Sequence, residues 1–164
     1  MRYRDMPSVE VTRRLYCTPG DAWNVVTDIS LPLAESQELR EVEWIDGTTI
    51  TVGHRFQGRN ENAVRGSWTT VSVVDEVEDG ARWTWRVLNE SGGTMAIWGF
   101  EVEPTNDGCL VRQFGRMGPD ESGISQFIAM YPTREARIIE GRLAEWAESM
   151  RANLERVAAR VQSD

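Results

Sequence analysis

Hydrophobic and polar residues alternate with a period of two through the middle of the chain. Near its end the pattern changes to a period of three to four. Between Arg82 and Val102, Trp83, Trp85, Trp98 and Phe100 fall at alternate positions of two runs, so one sheet face carries all four rings. So apolar a face has to be covered by another element. The segment from about 132 to 162 is the one long enough to cover it.

The flanking pattern fills in the elements. Residues 8–16 place Val9, Val11 and, after a slip, Leu15 on one side of a first strand. Thr18 then suits a helix N-cap, Pro19 the first helical position, and Asp21 the positive end of the helix. Ala22, Trp23, Val25 and Val26 carry that helix to about residue 28, and 31–37 reads as a second short helix or turn. From Leu39 onward strands follow one another with turn punctuation. The first is 39–45, ending at Asp46-Gly47 as a hairpin signal. Next comes 49–60, with Val52, His54, Phe56 and Gly58 on one face, and a loop at 60–62. Strands 66–77, 81–89, 94–103 and 109–117 complete a count of seven, six of them consecutive in an antiparallel meander.

In the C-terminal stretch Ile139, Leu143, Trp146, Met150, Leu154, Val157 and Val161 form a stripe down one side of a helix. Pro132 belongs near a helix start rather than inside one. It therefore sets off residues 123–131 as an apolar, lid-like piece with Ile124, Phe127, Ile128, Met130 and Tyr131. The whole predicts one α+β domain over 1–164 with a helix-grip architecture: a seven-stranded curved antiparallel sheet wrapped around a long C-terminal helix. Two short helices lie between strands 1 and 2. A grip of this kind leaves a pocket, and the expected occupant is a small apolar or aromatic molecule.

Composition narrows the partners. Acidic residues outnumber basic ones 26 to 18, for a net charge of −8. That argues against nucleic acid or an anionic membrane surface, both of which need clustered cations. All 18 basic residues are Arg, which reads first as coding bias. No apolar run reaches the roughly 20 residues of a membrane span. The first residues have no apolar signal core, so a cytoplasmic protein is expected. Cys17 and Cys109 read as two buried small hydrophobes rather than a disulfide.

One stretch of residues after another resembles a known family. Thr18-Pro19-Gly20-Asp21-Ala22-Trp23-Asn24-Val25-Val26-Thr27-Asp28-Ile29 is similar to the opening helix of the START-like (SRPBCC) superfamily, in its polyketide cyclase/dehydrase branch. Val52-Gly53-His54-Arg55-Phe56-Gln57-Gly58-Arg59-Asn60, Trp83-Thr84-Trp85 and Trp98-Gly99-Phe100-Glu101-Val102-Glu103-Pro104 resemble its patterned strands. The resemblance runs through nearly the whole chain and implies a START/Bet v 1-like grip. It also implies a choice of activities, since members range from carriers to catalysts.

Candidate chemistry is sparse. His54 is the single histidine, and zinc spacing, a Gly-rich phosphate loop, G-x-S-x-G and the Cys/His pattern of a Rieske cluster are all missing. No metal or other cofactor is expected. His54 shares parity with Phe56; facing inward it would be the natural acid/base group, with Tyr131 as the other catalytic candidate. Side-chain parity gives a ligand-binding set of Phe56, Asn60, Trp68, Thr70, Trp85, Trp98 and Gln113 on the sheet, with Phe127 and Tyr131 from the lid. Arg134 stands near the mouth, and Ser72 shares the parity of Trp68 and Thr70. Two readings stand. One is a non-catalytic carrier of a hydrophobic molecule. The other is a cyclase, aromatase or dehydratase that folds a polyketide-type intermediate, with one or two groups steering proton transfer. Exposed sheet edges would also allow a homodimer.

Overall fold

The computed structural model describes residues 1–34 and 36–162. Seven strands, β1 (Ser8–Leu15), β2 (Leu39–Trp44), β3 (Arg55–Asn62), β4 (Gly66–Glu78), β5 (Arg82–Leu88), β6 (Thr94–Thr105) and β7 (Gly108–Met117), form a single sheet. Their order is β1-β7-β6-β5-β4-β3-β2, with every neighbouring pair antiparallel. The six consecutive strands therefore make the expected meander, and β1 returns to lie beside the last of them. Helices α1 (Pro19–Val26), α2 (Gly123–Met130) and α3 (Glu135–Gln162) complete the fold, with a 3-10 turn at Leu31–Ala34. Of the expected 31–37 segment, residue 35 lies outside the described residues.

Local chemistry explains where the elements begin. The Thr18 hydroxyl accepts a bond from the Asp21 amide at 3.1 Å, and Pro19 occupies the first turn of α1. Ser122 and Ser125 bond reciprocally at the start of α2. Register shifts between Leu39 and Glu41, Val74 and Glu76, and Val87 and Leu88 bend the sheet around α3. At the middle one, the buried Thr84 hydroxyl accepts from the Glu76 amide, 3.1 Å away.

Two stretches depart from the pattern-based expectation. The strand expected to begin at 49 begins at Arg55, because 45–54 is a long hairpin loop. Within it Gly53 holds φ at +90°, outside the strand region, and the Thr51 and His54 amides bond locally to Thr49 and Thr51 carbonyls. Val52, expected to share a strand face with Phe56, is 60% exposed. The strand also continues through the expected loop at 60–62, where Asn60, Glu61 and Asn62 pair with Trp68, Ser67 and Gly66. At the other end, Pro132 opens a single 3-10 turn and the long helix starts three residues later.

Buried side chains form two clusters. The larger joins α1, the sheet and the second half of α3 through residues such as Val26, Trp83, Phe100, Val111, Leu154 and Val157. The smaller gathers Met117, Ile128, Ile139 and Leu143 beneath α2. Gly115 permits the close approach of helix and sheet: a Cβ there would lie 3.0 Å from the Trp146 ring and 3.1 Å from Met150. The absence of a side chain is its role.

Candidate functional site: a cavity between the sheet and the long helix

A cavity of about 650 Å³ lies between the inner sheet face, α3 and the chain that follows α1. Its floor is the inner sheet face. Cross-strand pairing puts Trp83 opposite Phe100 and Trp85 opposite Trp98. The rings touch in a chain: Trp83 to Trp85 at 4.5 Å between centroids, Trp85 to Phe100 at 6.0 Å, and Phe56 to Trp83 at 6.4 Å. Trp98 stacks on Trp146 of α3 at 4.7 Å. Trp146 also packs on the small cluster beneath α2, so this pair forms the partition between cavity and second cluster. Offset and tilted contacts of this kind are the preferred geometry of packed aromatic rings.

The polar residues of the floor are uncharged. Gly58, Asn60, Thr70, Ser72 and Gln113 all line the cavity, as strand alternation requires of positions sharing parity with Phe56, Trp68 and Val111. Opposite them, Asn153 of α3 donates from Nδ2 to Gln113 Oε1 at 3.1 Å, and both residues are buried. Charged lining residues stand at the rim, where exposed Arg142, Glu145 and Glu148 of α3 face Gln37 and Glu38. Arg142 bonds Glu145 at 2.7 Å. At the far end Asp28 pairs with Arg160 at 2.8 Å, fastening the end of α3 to the chain after α1. Burial works to raise the Asp28 carboxyl. The bonds from the Ser30 hydroxyl and amide, and then Arg160, outweigh it and hold the group below the usual carboxylate range.

The cavity gathers Phe56, Asn60, Thr70, Trp85, Trp98 and Gln113 from the sequence-derived set and leaves out the rest. Trp68 has the right parity, but it lies near the start of β4 beyond the cavity, beneath the Arg65 guanidinium at 4.3 Å. Phe127 and Tyr131 contact each other at 5.1 Å on the exposed side of α2, and Arg134 stacks on Tyr131 at 5.8 Å. The 123–131 segment therefore caps the second cluster rather than the cavity mouth. Its inward side chain is Ile128, which packs with Ile139 and Leu143. His54 also lies outside: its Nδ1 is 3.2 Å from the Thr49 carbonyl, within the β2–β3 hairpin loop. The chain from Cys17 and Cys109 comes together too, with Sγ atoms 4.0 Å apart and the thiols free. Burial, then the neighbouring Cys17, pushes the Cys109 thiol up to about 12.

A sequence profile described as polyketide cyclase / dehydrase and lipid transport matches residues 6–162. The chain belongs to that family. Among curated proteins none matches it in sequence. The grip is shared by a polyketide-cyclase-like protein, Cgl2372 of Corynebacterium glutamicum, at 21% identity and a TM-score of 0.64 over 91% of this chain and 88% of that one. The di-domain ARO/CYC StfQ of the steffimycin biosynthetic pathway superposes at 0.72 and 14% identity, over 98% of this chain and 52% of StfQ. Ara h 8.0201 shares the fold at 0.54 and 9% identity, over 85% of this chain and 99% of that one. These likenesses establish a START-like helix grip.

Within this polyketide cyclase-like grip, the helix side of the cavity was the part that pattern reading missed. Asn153, Ser149, Trp146, Glu148 and Arg142 all line it. Asn153 had a signal: it sits three residues after Met150, on the apolar stripe, where a polar side chain needs a buried partner. No group of three or more His, Cys, Asp or Glu side chains suited to a metal occurs among the described residues. No helix among them is long and apolar enough to cross a membrane.

Proposed function

We propose that this protein binds a hydrophobic, aromatic small molecule in the cavity between the sheet and α3. The observation that carries the proposal is the aromatic wall of Phe56, Trp83, Trp85, Trp98 and Phe100 along a cavity of about 650 Å³, a volume suited to a small-molecule ligand. Membership of a family described by cyclisation, dehydration and lipid transport supports the same reading. Binding without turnover has the stronger physical support. The charged lining residues of the cavity are exposed or half-buried, whereas its buried polar residues carry amides and hydroxyls. The catalytic candidates His54 and Tyr131 are outside it. A cyclase-type reaction on a polyketide-like chain would have to rely on folding the substrate against these walls.

The test is a titration with a neutral aromatic probe, N-phenyl-1-naphthylamine, read by its own emission and by protein tryptophan emission. Saturable enhancement of the probe and quenching of the protein are expected. Ser72→Phe, which fills the floor, should weaken both. A probe signal that never saturates, or that Ser72→Phe leaves intact, overturns the reading.

A further inference from the structure

The polar surface of this cavity divides into two parts that constrain the ligand differently. At its inner end the Gln113 and Asn153 side chains, 2% and 7% exposed, bond each other once. That bond uses Asn153 Nδ2 and Gln113 Oε1 and leaves Gln113 Nε2 and Asn153 Oδ1 without a partner among the described residues. Neither atom is sealed off, since no buried side-chain nitrogen or oxygen among the described residues lacks a partner. Both residues line the cavity, so the two atoms face into it. The pair thus offers one donor beside one acceptor. Exchanging nitrogen and oxygen in both amides preserves the mutual bond and again leaves one donor and one acceptor. The complementary ligand group carries an acceptor next to a donor, as in a carboxamide, a lactam or a hydroxy-carbonyl.

Over the whole lining the charge has one dominant sign. Asp28, Glu38, Glu145 and Glu148 line the cavity, and Arg142 is the cation among the described lining residues. Arg142 is engaged by Glu145, and Arg160, which lines nothing here, serves Asp28. Glu148 makes no ion pair among the described residues. An anion entering the cavity meets excess negative charge, and inside it finds, among the described residues, neutral amides, hydroxyls and indole N–H groups, and no cation, to replace its water.

We propose that the cavity selects an uncharged aromatic ligand bearing an adjacent donor and acceptor, seated on the Gln113–Asn153 amide pair, and discriminates against carboxylates. This rests on the cavity-binding reading above and names its ligand class.

Displacement of N-phenyl-1-naphthylamine by three probes sharing one ring system, 2-naphthamide, 2-naphthoate and 2-methylnaphthalene, tests it at neutral pH. The amide is expected to compete about tenfold better than either the acid or the hydrocarbon, the scale of one well-made hydrogen bond. Gln113→Met should remove the advantage over the hydrocarbon. Glu148→Gln, an exposed rim change that leaves the core untouched, should narrow the gap between amide and acid, and so should high salt. If naphthoate competes as well as naphthamide, or if amide and hydrocarbon compete equally in the unaltered protein, the selectivity is overturned while cavity binding stands. Failure of the naphthylamine itself to bind overturns both.

Discussion

The Trp83 indole is packed between Phe56, Trp85 and Phe100, and its Nε1 donates to the Val26 carbonyl at the end of α1, 2.9 Å away. At 2% exposure neither end of that bond has water to fall back on. Trp83→Phe keeps a ring in place but orphans the carbonyl and leaves a void, so a loss of about 2–4 kcal/mol is expected by urea denaturation. Trp98→Phe should cost less, since Trp98 is only half-buried and its side chain makes no hydrogen bond among the described residues; its effect should fall on ligand affinity. The cysteine pair gives a second residue-scale expectation. With its thiol pushed up to about 12 by burial and by Cys17, Cys109 stays protonated and unreactive at neutral pH. An aromatic disulfide reagent should therefore label at most Cys17 in the native protein and both thiols in urea; two fast equivalents without denaturant would refute the assignment. Strand parity made Asn60, Thr70 and Gln113 readable from sequence, because alternation fixes a side chain's face whatever its chemistry. Parity carries no information on where along the strand the cavity ends, which is why Trp68 shares the face yet lies beyond the site.

At the scale of elements, α2 shows how an apolar segment can be assigned correctly and placed wrongly. Its sequence, GISQFIAM, with a Ser122 cap and Pro132 two residues beyond its end, specifies a short helix. Nothing in that pattern says which of its apolar residues meets the protein. In the structure Ile128 is buried with Met117, Ile139 and Leu143, whereas Phe127 is 49% exposed. Ile128→Ala should therefore destabilise the fold by about 2–4 kcal/mol, and Phe127→Ala by well under about 1 kcal/mol. Neither should change probe affinity except through unfolding. A selective loss of probe binding in Phe127→Ala would mean that α2 does reach the cavity. The 45–54 hairpin is the complementary case. Its Thr, Val and Ile content favours a strand, but positive φ at Gly47 and Gly53 and the local turn bonds override that preference. The long helix was legible because its apolar stripe persists over six turns; the polar Asn153 within that stripe was not, because its partner lies 40 residues away on β7.

Across the whole molecule, the convex face of the sheet carries a ladder of charge that the cavity face lacks. Glu10 of β1, Arg112 of β7, Glu101 of β6, Arg82 of β5 and Glu76 of β4 pair in sequence from strand to strand. Both arginines also lie over the Phe114 ring, at 4.9 and 4.5 Å. This ordering needs the folded sheet, since the five residues are scattered from position 10 to position 112. Glu101 is its central carboxylate. The Arg112 bond lowers its pKa; partial burial opposes this, and the Arg112 charge and Arg82 add to the lowering, leaving it below its ordinary value of 4.5. A carboxyl depressed in the folded state contributes stability that is complete above its unfolded value and disappears as pH falls through the folded one. Asp28 is shifted in the same direction, so the two act together. The urea midpoint should therefore be nearly level through neutral pH and fall once the pH drops below about 4.5. Glu101→Gln should lower the neutral-pH midpoint, because Arg82 and Arg112 then face each other without the carboxylate, and should flatten the acid limb. An acid limb as steep in Glu101→Gln as in the unaltered protein would show that the ladder contributes nothing, and that protonation elsewhere governs acid unfolding.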